Sequence, residues 1–220
     1  MPGNKPVASL VVLVSGSGSN LQALIDAIES GEISARITAV ISNVPDVFAL
    51  QRAKQANIPA VVLDHTRYES RAAFDTALQQ CIAVYQPDLV VLAGFMRLLT
   101  PEFVQSFQGK MLNIHPSLLP KFRGLHTHQR ALDTGEEEHG ASVHFVTPDL
   151  DSGPVVIQGV VPVLKGDTSD TLAQRVLQVE HVIYPRAIGW FVTGRLGMRD
   201  DRVVLDGEVL REPELYRLSP

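Results

Sequence analysis

Four short apolar runs, rich in β-branched residues, alternate with stretches of helical spacing through the first ninety-odd residues of the chain, and this alternation restricts the fold more than any other feature. Ala8–Val14 reads as a buried strand and is followed by the loop Ser15–Asn20. Leu21, Leu24, Ile25 and Ile28 then recur at i, i+3, i+4 and i+7 until Gly31 stops the helix. Arg36–Ser42 is the next strand, Asp46 is positioned to cap a helix reaching about Asn57, and Ile58–Leu63 is the third strand. Ser70–Tyr85 is a helix carrying Ala73, Phe74, Ala77, Leu78, Cys81 and Ile82 on one face, which makes Cys81 a core residue and not a nucleophile. Asp88–Ala93 is almost wholly apolar, as a parallel strand covered on both faces should be.

The pattern continues with a helix start at Thr100-Pro101-Glu102, a strand at Met111–Ile114, a loop over Pro116–His126 and a short helix over Thr127–Thr134. Ala141–Val146 and Val155–Val163 are strands. Thr168–Thr193 is a long helix with Pro185 as a potential kink, and Leu196–Leu210 alternates around the hairpin signal Asp206-Gly207. The expected fold is α/β: an open, mostly parallel twisted sheet with helices on both faces, Rossmann-like, ending in a small C-terminal β-hairpin. No internal repeat and no Gly/Ser/Pro-rich linker interrupts it. The expectation is one domain over 1–220, with residues 1–6 a flexible tail and 196–220 a C-terminal hairpin and tail. Ligands of such sheets bind beyond the carboxyl ends of the strands, so the loops 15–20, 94–100, 113–126 and 147–154 hold the interest.

Composition narrows the function. With 19 Lys+Arg against 24 Asp+Glu the net charge is −5, a poor electrostatic match for nucleic acid or an anionic membrane. One cysteine excludes an internal disulfide and a cysteine-based zinc site, which fits a reducing, cytoplasmic setting. No apolar stretch approaches the ~20 residues of a spanning helix, and none reads as a signal peptide. Five of the seven histidines fall within residues 115–144, where even spreading would put about one, and histidine is the side chain that titrates near neutrality.

Three constellations could carry chemistry. Ser15-Gly16-Ser17-Gly18-Ser19-Asn20 joins a strand to a helix, where backbone N–H groups and the helix dipole favour an anion. The dinucleotide fingerprint fails there, because Leu21 stands at the third glycine position and Ser42-Asn43 replace the acidic residue at the end of the second strand. A P-loop lysine is also missing. A single phosphate, such as a ribose 5-phosphate, is what the loop suits, although a tight turn with a helix cap would look similar. Asn113-Ile114-His115 ends a strand and puts an amide donor and a proton carrier on one face; a satisfied structural pair is the alternative. Asp149-Leu150-Asp151-Ser152-Gly153-Pro154 is a turn whose Asp151, if beside His115, would orient that ring and raise its pKa; bonding to local backbone is the alternative. His126, His128 and His139 invite a metal, but no His-Glu-x-x-His and no convincing carboxylate spacing accompanies them, so none is expected. A serine hydrolase is disfavoured because no Gly-x-Ser-x-Gly elbow occurs.

Asn113–Pro120 (NIHPSLLP) and Gly140–Gly153 (GASVHFVTPDLDSG) resemble the signatures of the folate-dependent formyltransferases, and the similarity runs from about Val7 to Met198. Ser15–Asn20, Leu92–Leu99 (LAGFMRLL), Gly124–His128 (GLHTH) and Gln178–Pro185 (QVEHVIYP) support it. The pattern is nearest to the branch acting on 5'-phosphoribosylglycinamide (GAR). The resemblance implies transfer of a formyl group from 10-formyltetrahydrofolate, as cosubstrate, to the GAR amine in purine biosynthesis. It implies Asn113, His115 and Asp151 as catalytic residues, and Gly18, Ser19, Asn20 and Glu180 as GAR contacts. Arg71, Met96, Arg97, Leu98, Leu99, Asn113, Thr147 and Asp151 would bind the folate, with Leu92, Phe95 and Val146 adding apolar lining. It implies small-molecule substrates without nucleic acid, metal or membrane, and a monomer or weak homodimer.

Lys121-Phe122-Arg123-Gly124 carries an arginine that also resembles methionyl-tRNA formyltransferase, so Arg123 bears on acceptor choice. His126-Thr127-His128, the chain length near 220 and the negative charge favour GAR. Formyltetrahydrofolate deformylase is a second relative, normally with an added N-terminal domain, where only seven residues precede the first strand here. A non-catalytic phosphosugar- or folate-binding module would need the loop but not Asn113, His115 and Asp151 together.

Overall fold

A computed structural model describes residues 7–218; the expected tail over residues 1–6 lies outside that range. The chain forms two compact units that divide between Arg97 and Leu98. The first contains β1 (Ala8–Val14), α1 (Ser19–Glu29), β2 (Ala35–Ser42), α2 (Phe48–Gln55), β3 (Ala60–Val62), α3 (Arg71–Ala83) and β4 (Leu89–Leu92). β1 pairs in parallel with β2 on one side and β4 on the other, and β2 pairs in parallel with β3. The order β4-β1-β2-β3 means the chain moves outward through β2 and β3, then returns past β1. Right-handed crossovers therefore put α1 and α2 on one face of this sheet and α3 on the other. The carboxyl ends of β1 and β4 flank the point of reversal, where such sheets open a crevice.

Leu10, Val11, Val12, Leu13 and Val14 are fully buried, as the continuous apolar run requires. Leu21, Leu24 and Ile25 of α1 are buried as their spacing predicts. On α3, Phe74, Leu78 and Ile82 face the core, and the Ser70 hydroxyl caps the helix by accepting from Ala73 N–H at 3.1 Å. Cys81 is half-buried on α3 with its thiol pushed up by burial, consistent with a packing role. The expected Asp46 cap of α2 is not made. Asp46 sits in the left-handed region at φ 57, and Val47 takes the cap position without a side-chain bond.

The second unit contains α4 (Pro101–Ser106), β5 (Met111–His115), α5 (Thr127–Asp133), β6 (Glu138–Phe145), β7 (Val155–Pro162), α6 (Ser169–Val192), β8 (Leu196–Arg199), β9 (Arg202–Leu205), β10 (Glu208–Val209) and β11 (Glu214–Arg217). β5, β6 and β7 are antiparallel, while β11 lies parallel to β7. α6 begins at a reciprocal Thr168/Thr171 cap and runs as one helix through Pro185. It packs on β6 and β7, and it comes so near β7 at Gly159 that a Cβ there would lie 2.7 Å from Val179 Cβ. Tyr184, fully buried, donates from its hydroxyl to the Leu112 carbonyl at 3.0 Å and so fixes α6 to β5. The predicted C-terminal hairpin is a three-stranded antiparallel sheet, β8-β9-β10, because Asp200 and Asp201, both at positive φ, make a turn before Asp206-Gly207 does. Among the described residues no helix is long and apolar enough to cross a membrane.

Candidate active site

β5 places Asn113 and His115 on one face, and the antiparallel register sets Asn113 opposite His144 of β6. His144 Nδ1 lies 2.9 Å from the Phe145 carbonyl and can only donate to it, which leaves Nε2 as an acceptor. The Asn113 Nδ2 amide donates to that Nε2 at 3.1 Å. Burial pushes His144 down to about 4, so the neutral ring that this bonding needs is the form present near neutrality. Asn113 thus has its amide aimed by a neutral acceptor and one N–H left for a ligand.

Asp151 is held in the turn between β6 and β7 at φ 46. Its Oδ2 accepts from Gly124 N–H at 2.9 Å and lies 3.4 Å from His115 Nδ1, and its Oδ1 lies 3.8 Å from His144 Nε2. The other ring nitrogen of His115, Nε2, donates to the Phe122 carbonyl at 2.9 Å. Both nitrogens of His115 therefore face oxygen acceptors, an arrangement suited to an imidazolium that donates on both sides. The His115 and Asp151 side chains are only 8% and 9% exposed, so the pair acts in a low-dielectric surrounding where charge interactions are strong.

The Pro116–His126 loop is pinned beneath this group by hydroxyls and one amide. Ser142 Oγ donates to the Ser117 carbonyl at 2.7 Å and accepts from Leu119 N–H at 3.0 Å. Gln158 Nε2 reaches the Leu119 carbonyl and Ser142 Oγ, both at 2.9 Å, and Ser117 Oγ donates to the Lys121 carbonyl at 2.6 Å. Phe122, at φ 54, packs its ring edge-on against His139, whose partner His128 is 3.2 Å away. His139 is pushed down to about 4 and His128 is lowered too, chiefly by burial, so both rings serve as packing. His139 and His144 are the second and the penultimate residues of β6. His126 caps α5 at φ 58 without a side-chain cap bond.

The first unit carries the remaining expected residues. Gly18 caps α1 at φ 71, with Ser19 and Asn20 as its first helical residues, no side-chain cap bond and no acidic residue in the first turn. A Cβ on Gly18 would lie 2.7 Å from Ala49 Cβ, so only glycine fits the turn. Ser15 Oγ donates to Asn43 Oδ1 at 2.5 Å and accepts from Met96 N–H at 2.8 Å, joining the loops after β1 and β4. Arg97 lies over the Phe74 ring at 4.7 Å, and its buried Nε meets no acceptor among the described residues. Arg71 is the exposed first residue of α3, and Met96 is 67% exposed. In the second unit Leu98 is exposed, Leu99 and Thr147 are half-buried, and Glu180 is buried on α6. Two participants escaped the sequence reading. The Asn113↔His144 pairing was open to it through strand alternation, had β5 and β6 been paired; the Phe122 carbonyl left no signal, being backbone.

The geometry defines a site in which an amide, an imidazole and a carboxylate converge, on a fold of alternating strands and helices. The formyl transferase family model matches residues 8–188, and the chain belongs to that family. Over 202 residues it is 54% identical to phosphoribosylglycinamide formyltransferase of Escherichia coli K12, covering 92% of this chain and 95% of that protein. The enzyme of the same name from Haemophilus influenzae is 47% identical over 201 residues, 91% of this chain and 95% of that one. The solved phosphoribosylglycinamide formyltransferase of Coxiella burnetii, in complex with CHES, superposes with a TM-score of 0.91 at 49% identity, covering 95% and 99% of the two chains. The Rossmann-like formyltransferase fold expected from the sequence is thus the one observed.

Proposed function

We propose that the chain transfers the formyl group of 10-formyltetrahydrofolate to the amine of GAR, giving formyl-GAR and tetrahydrofolate in de novo purine synthesis. The observation that carries the reading is the convergence of Asn113, His115 and Asp151, fixed by Gly124 and His144, in a chain 54% identical to an enzyme so named. As the amine attacks the formyl carbon, a C–N bond forms and charge collects on the formyl oxygen. The free N–H of Asn113 and the imidazolium of His115 stabilise it, His115 giving up the Phe122 carbonyl for the new acceptor. Asp151 takes the proton lost by the attacking nitrogen, directly or through water. Collapse breaks the bond to the folate nitrogen, which leaves with the proton that Asp151 took from the amine, returned directly or through water.

Gly18, Ser19 and Asn20 receive the GAR phosphate at the N-terminus of α1, where the helix dipole favours a dianion. Glu180 contacts the ribonucleotide. The open Nε of Arg97, with Arg71, suits the carboxylates of the folate glutamate. Met96, Leu98, Leu99 and Thr147 offer surface to its rings, and the exposure of Met96 and Leu98, at 67% and 54%, fits side chains that a ligand covers. The whole chain works as one cytoplasmic domain, a monomer or weak homodimer, without metal. The test is a transfer assay with GAR, methionyl-tRNA and water as competing acceptors. Formyl-GAR is the expected product; transfer only to methionyl-tRNA, or only hydrolysis, would overturn the assignment.

A further inference from the structure

Arg52, on α2, sits against the Ser15–Asn20 loop. Its Nε donates to the Ser17 carbonyl at 2.9 Å, its Nη1 donates to Gln22 Oε1 on α1 at 3.0 Å, and its guanidinium lies 4.6 Å from the centre of the Phe48 ring. Next to it, Ala49 N–H donates to the Gly16 carbonyl at 3.1 Å, and Gln22 N–H donates to the Gly18 carbonyl at 2.9 Å. Three consecutive carbonyls of the loop are therefore occupied, two of them by α2. In a planar trans peptide the carbonyl of one residue and the N–H of the next point in opposite directions. Tying the Gly16 and Ser17 carbonyls to α2 thus turns the N–H groups of Ser17 and Gly18 away from it, and the Gly18 carbonyl, bonded along α1, leaves Ser19 N–H pointing out of the helix start. Among the described residues none of these three N–H groups meets an acceptor, and neither does Arg52 Nη2.

We propose that Arg52 is a positioning residue for the substrate phosphate: it fixes the Ser17 peptide so that the Gly18 N–H faces the anion, and its guanidinium adds the charge that a dianion at this loop requires. Lysine cannot substitute, since a single ammonium does not span the Ser17 carbonyl and Gln22 while stacking on Phe48. Gly18 lets α2 come this close to the loop, because a Cβ there would stand 2.7 Å from Ala49 Cβ. The inference rests on the reading that this loop receives the GAR phosphate.

The test is steady-state kinetics of Arg52→Gln, Arg52→Lys and Ser19→Asp, with GAR and with glycinamide ribonucleoside, its phosphate-free analogue. Arg52→Gln should raise KM for GAR on the order of tenfold to a hundredfold, as loss of a charged hydrogen-bonding group does. It should move kcat and the folate KM by no more than roughly twofold, and Arg52→Lys should recover only part of the loss. With the phosphate-free acceptor, wild type and Arg52→Gln should be equal. An unchanged GAR KM in Arg52→Gln overturns the proposal. So does a parallel rise in both substrates' KM with a lowered melting temperature, which marks a structural role alone. Ser19→Asp separates the two readings. If it raises the GAR KM while Arg52→Gln does not, only the role of Arg52 fails. If neither variant affects it, the phosphate loop itself is misassigned.

Discussion

Replacing Gly153 by alanine should damage catalysis through packing, without touching a catalytic atom. Gly153 lies two residues after Asp151, where the chain leaves the turn and enters β7. A Cβ at Gly153 would stand 1.8 Å from the Phe145 carbonyl oxygen, 2.9 Å from its carbon and 3.2 Å from Thr147 Cγ2. An ordinary carbon–oxygen contact needs about 3.3 Å, so the backbone must open by roughly 1.5 Å. The obstacle is backbone at the end of β6, held by Phe145 N–H donating to the Pro154 carbonyl at 3.1 Å, so no rotamer change relieves it. Overpacking of this kind costs about 1–3 kcal/mol, which lowers the melting temperature by about 2–12 °C in a chain of this size. The greater effect falls on Asp151. A shift of about 1 Å breaks its 2.9 Å bond to Gly124 and its alignment with His115, and displacement on that scale can cost about 100-fold in turnover. Thermal melting by circular dichroism and kcat with GAR measure the two effects. Gly197→Ala is the control, since a Cβ there meets nothing within 4 Å and should leave both unchanged. A Gly153→Ala enzyme with wild-type melting and near wild-type kcat would refute the claim that this close approach sets the position of Asp151.

Three further outcomes follow from other parts of the molecule. His139 and His144 are held at about 4 when folded against 6.5 when free, so the unfolded chain binds protons first as pH falls. Stability is full above 6.5 and drains away towards 4 by up to about 3 kcal/mol per histidine; urea titrations across this range should show it, His139→Gln should flatten the curve, and a pH-independent midpoint would contradict it. His144→Leu removes the acceptor that aims Asn113, so kcat should fall about tenfold to a hundredfold with little change in either KM, and a fall in KM-limited rate alone would count against that role. Asp167 accepts from both Nη atoms of Arg175, at 2.6 and 2.9 Å, which holds its carboxyl well below the usual carboxylate range. Asp167→Asn should cost about 1–3 kcal/mol in chemical denaturation while leaving kcat intact, and an unchanged denaturation midpoint would show the pair to be idle.

The elements legible from sequence are those whose stability is local or whose burial is complete. β1 and β4 were readable because both faces of each are covered, which demands an unbroken apolar run. α3 was readable because Ser70 caps it and its core residues repeat at helical spacing. The α2 cap was misplaced because Asp46 is a good capping side chain whose backbone is committed to a left-handed turn, a conformation that short polar residues also favour. β11 left no signal: Glu214, Leu215 and Arg217 are exposed, and its strand character comes from pairing with β7, more than fifty residues away. At the site, Asn113, His115 and Asp151 were recognisable as chemistry-bearing residue types, whereas Phe122, whose contribution is a carbonyl, was not. The five clustered histidines overstated the chemistry, because burial holds His139 and His144 at about 4 and lowers His128 as well.

β11 has a consequence for the solubility of the chain. β7 reads Val-Val-Ile-Gln-Gly-Val-Val-Pro, a β-prone, uncharged segment of the kind that templates intermolecular strand addition when its side is open. β6 occupies one side of it and β11 the other. The guard strand brings charge to the place it covers: Glu214 and Arg217 flank it, and Arg217 pairs with Glu138 of β6. A short, polar, weakly patterned tail segment thus acts as a gatekeeper against aggregation for the most apolar strand of its unit. Substitutions that detach it would act first on the yield of soluble protein and only later on the rate of formyl transfer.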